Sequence, residues 1–69
     1  MRQDDILMTL RSEGRPMTTT EIVEALLLDV TPNHRAEAHN RLRALLRKGL
    51  VRRVGHQPIS NRTIWEAVQ

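Results

Sequence analysis

Three breaks in the chain leave little choice about its elements. Gly14-Arg15-Pro16, Asp29-Val30-Thr31-Pro32 and Gly49 each interrupt a stretch whose apolar residues recur at helical spacing. Three helical segments are therefore expected, followed by a tail rich in β-formers. The first, about 3–13, sets Ile6, Leu7 and Leu10 on one stripe. Asp4 and Asp5 stand in its first turn, where the helix dipole favours anions, and Gly14 is a natural stop. Arg15, before Pro16, is extended.

The second segment, about 19–28, opens on Thr18-Thr19-Thr20-Glu21. This is a capping box: the Thr18 hydroxyl caps the helix and Glu21 reaches back to the cap. Met17 and Ile22 have the spacing of a hydrophobic staple. Ile22, Val23, Leu26 and Leu27 supply the buried face, and the Leu26-Leu27-Leu28 run is assigned to the core rather than to a dimer contact, with Leu28 either covered by the third helix or partly exposed. The third segment, about 32–48, has Thr31 as its cap and Pro32 in the first turn, the favoured place for proline. Ala38, Leu42, Leu45 and Leu46 fall within about 100° of arc and face inward. Opposite them lie Asn33, Ala36, Glu37, Asn40, Ala44 and Arg47, flanked by Arg41, Arg43 and Lys48.

The tail, about 50–68, has the pattern of a β-hairpin. Leu50–Val54 and Thr63–Val68 are its arms, and a loop of about 55–62 carries His56 and Arg62. A lone hairpin is unstable, so it must pack on the helices. Trp65, the only aromatic residue among 69, is the expected lid. The fold class is thus mainly α with a small β-hairpin (α+β), in a single domain spanning 1–69. A chain this short buries only about 60% of its unfolded surface. Without cysteine it has no disulfides to add stability.

Charge is distributed unevenly. Residues 1–32 carry net −3 and residues 33–69 net +6, and ten of the eleven basic residues are arginine. A basic half on a small chain points to an anionic partner, and arginine's planar fork suits phosphates and guanine edges. Other chemistries find little support. His34 and His39 sit about 140° apart around a helix and cannot share a metal. Ser12 and Ser60 have no adjacent base or orienting acid for nucleophilic catalysis. No phosphate-loop motif is present, and no cofactor or small-molecule ligand is expected. No apolar run reaches the roughly 18 residues of a membrane span. The N-terminus lacks a signal-peptide apolar region, and with zero cysteines a cytoplasmic location is expected.

The order of elements is helix, short extended piece, helix, tight turn, basic helix, hairpin. With the segment Thr18 to Leu26 and the stretch Arg41-Leu42-Arg43-Ala44-Leu45-Leu46-Arg47-Lys48-Gly49-Leu50-Val51-Arg52-Arg53, the chain resembles a winged helix-turn-helix domain of the prokaryotic transcription-regulator type. The resemblance covers essentially the whole chain. It implies a recognition helix at 32–48, a wing at 55–62 on DNA backbone or minor groove, and no enzymatic activity. Z-DNA-binding winged helices place a tyrosine one turn after a recognition-helix asparagine. Here that position is Ala44, so the likeness does not extend to them.

Under this resemblance double-stranded DNA is the partner. Asn33, Ala36, Glu37 and Asn40 are candidate base contacts: small residues permit close approach, and asparagine can pair with an adenine edge. Asn40 is otherwise a poor choice in mid-helix. Glu37 also has the spacing of an ion pair with Arg41. Arg41, Arg43, Arg47 and Lys48 are candidate phosphate contacts, and Arg52, Arg53, His56 and Arg62 candidate wing contacts. A homodimer reading half-sites about 34 Å apart would supply affinity. The competing reading is a protein-protein interaction module within a larger assembly, with the acidic half as partner face.

Overall fold

The computed structural model describes residues 1–57 and 62–68, and contains helix α1 (Gln3–Glu13), strand β1 (Met17–Thr18), helices α2 (Thr19–Ala25) and α3 (Pro32–Arg47), and strands β2 (Val51–Gln57) and β3 (Arg62–Ala67). The strands form one antiparallel sheet in the order β1-β3-β2. This is an α+β arrangement of the winged-helix kind, three helices with a C-terminal hairpin.

Local chemistry sets most boundaries. The Thr18 hydroxyl accepts from the Glu21 amide at 3.2 Å, and the Glu21 carboxylate accepts from the Thr18 amide at 3.0 Å, closing the capping box. The Thr31 hydroxyl accepts from the His34 amide at 3.1 Å, starting α3 with Pro32 in its first turn. Gly14 ends α1 in the left-handed region, with φ 64°.

The core is one cluster. Ile6, Leu7 and Leu10 of α1, Ile22 and Val23 of α2, and Ala38, Leu42 and Leu45 of α3 meet Met17, Val51 and Trp65 of the sheet. Leu46, expected inward, is half-buried at its margin. Trp65 lies on the central strand, opposite Met17 on one side and Arg53 on the other. Its ring is 1% exposed, and its indole N–H donates to the Thr19 hydroxyl at 3.2 Å. The lid is therefore fastened to α2 as well as laid over the core.

Three expectations need correction. First, α2 stops at Ala25 rather than Leu28. The Leu28 amide bonds back to the Val23 carbonyl at 3.2 Å and the Leu27 amide to Glu24 at 2.9 Å, the crossed pattern of a Schellman closure. That closure puts Leu27 at φ 60° and leaves it 93% exposed, so Leu27 is not core, whereas Leu26 and Leu28 pack against it. Second, the hairpin is longer than expected. Pairing continues past Gly55 to Gln57 opposite Arg62, so the ladder takes half of the expected loop. Pairing jumps from Arg53 to Gly55, so Val54 is the extra residue of a β-bulge, and the imperfect alternation of this arm follows from it. Third, the extended residues before α2 form a third strand, β1, at the free edge of β3.

Candidate nucleic-acid interface

On a helix, residues four apart form rows that drift slowly around the axis. In α3 these rows are chemically different. Arg35, His39, Arg43 and Arg47 make one row, and all four are exposed. It runs along the flank that meets the hairpin, where His39 contacts Trp65 edge-to-face with ring centroids 5.9 Å apart. Asn33, Ala36 and Asn40 are exposed on the outward side. Glu37, Arg41 and Lys48 lie on the opposite flank, against the start of α1. The Glu37 carboxylate is 3.4 Å from the Met1 ammonium. Arg41 Nε donates to the Met1 carbonyl at 3.3 Å, and Lys48 Nζ donates to the Gln3 side chain at 3.0 Å. Ala44 is half-buried.

The twelve candidate residues thus divide into groups. Asn33, Ala36, Asn40, Arg43 and Arg47 stand on open surface. Glu37, Arg41 and Lys48 are drawn toward α1, and the salt bridge of Glu37 among the described residues is to the Met1 amine rather than to Arg41. Arg52 and Arg53 point to different faces of the sheet, as neighbours on a strand must. Arg52 lies opposite Glu66 and binds its carboxylate, with Nε donating at 2.8 Å, so its charge is already neutralised. Arg53 lies on the Trp65 side, facing α3. The side chains of His56 and Arg62 lie outside the described residues.

Two adjoining depressions mark the seam between α3 and the sheet. One, of about 360 Å³, is bounded by His39, Arg43, Leu46, Arg47, Arg53 and Trp65. The other is bounded by Thr19, Thr20, Pro32, Arg35, Ala36, His39 and Thr63. His39 is the wall they share. Neither holds a carboxylate, and among the described residues Arg35, Arg43, Arg47 and Arg53 form no salt bridge. The depression of about 430 Å³ near Gly14 differs, because its Arg52 and Glu66 pair with each other and its Arg15 with Glu21.

On sequence alone Arg35 has no assigned role, and His39 is weighed only as a metal ligand. The available signal was the unbroken spacing of four from Arg35 through His39 and Arg43 to Arg47. What it lacked was which flank the hairpin would cover. No helix among the described residues is long and apolar enough to cross a membrane. No protein-family model, curated protein or solved structure matches this chain.

Proposed function

We propose that this chain binds double-stranded DNA, with the outward face of α3 in the major groove and the seam toward the hairpin along one strand's phosphates. The observation that carries this reading is the concentration of Arg35, Arg43, Arg47 and Arg53 around two acid-free depressions, beside an open face of Asn33, Ala36 and Asn40. Guanidiniums on the flank fix register, while small and amide side chains on the crest meet base edges. The winged-helix resemblance supports the same reading, and implies a small transcriptional regulator working in the cytoplasm, without enzymatic activity. Two copies on half-sites about 34 Å apart would give it useful affinity.

The test is duplex affinity against salt. Each neutralised phosphate contributes about −0.9 to the slope of log affinity on log salt. Four cations along the seam set an expected slope of about −3 to −4 per chain. No association at low salt overturns the reading.

One observation favours a protein partner instead. Leu27 is almost fully exposed on a left-handed backbone, with the exposed carboxylates Glu24 and Asp29 nearby in sequence. Under that reading Leu27→Gly abolishes partner binding, whereas under the DNA reading it leaves duplex affinity unchanged.

A further inference from the structure

The seam contains one titratable side chain, and its position suggests a role beyond general attraction. His39 separates the two depressions and leans on Trp65. The groups facing the depressions come from four elements. α2 contributes Thr19 and Thr20, α3 contributes Arg35, Arg43 and Arg47, β2 contributes Arg53, and β3 contributes Thr63 and Trp65. Four of these are guanidiniums and none is a carboxylate. The floor of the Arg53 depression, Leu46 and Trp65, offers no free donor, because the indole N–H is committed to Thr19. The donors that line it are those of His39, Arg43, Arg47 and Arg53.

We infer that His39, Arg43, Arg47 and Arg53 form one seat for a phosphate group, in which His39 supplies a donor and, once protonated, a fourth positive charge. The inference rests on the DNA reading and deepens it, placing one backbone phosphate at the α3–β2 seam and coupling its capture to a proton. A phosphate seated beside His39 favours the charged imidazole over the neutral one. Binding then takes up a proton, so affinity rises as pH falls. The seat is chemically competent for a free phosphate compound as well as for a phosphodiester, and the two sources are separable by experiment.

Duplex binding measured by fluorescence anisotropy from pH 8 to pH 5.5, at constant ionic strength, tests the coupling. The wild-type chain gains affinity across the range in which imidazole ionises, by up to about tenfold per pH unit for one linked proton. His39→Gln, whose amide keeps a donor but cannot take up a proton, loses most of this gain. His39 is exposed, so the variant keeps its core, and it retains His34 and His56 as internal controls. An equal pH dependence in both proteins overturns the role of His39.

The second arm uses inorganic pyrophosphate and the emission of Trp65, the only tryptophan in a chain without tyrosine. A saturable change at pH 6 is expected in the wild type and is lost when Arg43→Ala and Arg53→Ala are combined. No change in the wild type overturns the seat itself. A saturable change without any duplex binding sustains the seat for free phosphate compounds and rejects the DNA reading.

Discussion

Leu27 and Gly49 hold the same position in two successive helix closures. After α2, the Leu28 amide reaches the Val23 carbonyl. After α3, the Leu50 amide reaches the Leu45 carbonyl at 3.0 Å, and the Gly49 amide reaches Leu46 at 3.0 Å. The residue at the bend has φ 60° in the first and 75° in the second. Glycine adopts this conformation at no steric cost, whereas a side chain costs roughly 1–2 kcal/mol. Leu27→Gly is therefore expected to stabilise the fold by about 1 kcal/mol, because the leucine buries almost nothing. Gly49→Ala should destabilise by about 1 kcal/mol through backbone strain alone, since a Cβ there meets nothing within 4 Å. Thermal melts decide both, and a lower melting temperature for Leu27→Gly rejects the argument.

Trp65 ties the sheet to the helices by packing and by one hydrogen bond. Thr19→Val keeps the shape at α2 but leaves the buried indole N–H without its partner. The expected cost is about 1–3 kcal/mol by chemical denaturation. Trp65→Ala removes the lid and costs about 3–5 kcal/mol. That is comparable to the whole stability of a domain this small, so the variant should be unfolded at 37 °C. A folded Trp65→Ala protein contradicts the placement of Trp65 at the centre of the core.

Local rules carried much of the fold, and the failures have a common origin. The capping box at Thr18, the Thr31-Pro32 start of α3 and the glycine stops depend on residues within a few positions, and each lies where the sequence places it. Leu27 was misassigned because helical periodicity does not anticipate a closure built on leucine. The β1–β3 pair joins residues almost fifty positions apart, and two residues of extended chain carry no pattern. On α3 the open face from Asn33 to Arg47 was legible from the wheel. Its two flanks were not. Arg41 and Lys48 go to α1, while His39 and Arg43 go to the hairpin, a division set by tertiary packing rather than by spacing.

Glu21 gives the fold a dependence on acid. The Thr18 amide, and next the Arg15 guanidinium at 3.0 Å, hold its carboxyl below the usual carboxylate range. A carboxyl lowered in the folded state adds stability above its unfolded pKa of about 4.3, and that contribution fades as pH falls through the lower folded value. The fall in melting temperature between pH 6 and pH 3 should therefore be smaller for Glu21→Gln than for the wild type. At pH 6 the variant should be the less stable of the two. An identical fall in both proteins removes Glu21 from the acid response.

The division of α3 into flanks separates two kinds of cation by their effect on DNA. Arg43, Arg47 and Arg53 surround the acid-free depression, whereas Arg41 donates to the Met1 carbonyl, Lys48 to the Gln3 side chain of α1, and Arg52 to Glu66. Arg43→Ala, Arg47→Ala and Arg53→Ala should each weaken every duplex alike and reduce the salt slope by about 1. Arg47→Glu, which also introduces repulsion, should abolish most binding. Arg41→Ala, Lys48→Ala and Arg52→Ala should change the slope little, because Arg41 and Lys48 reach toward Met1 and Gln3 and Arg52 pairs with Glu66, all away from the seam. Asn40→Ala should act differently again, costing about 1–3 kcal/mol on the preferred sequence and almost nothing on others. Salt titrations on a selected site and on a scrambled duplex separate the three patterns. Equal losses from Arg41→Ala and Arg43→Ala would place the phosphates on the α1 flank, against the geometry of the seam.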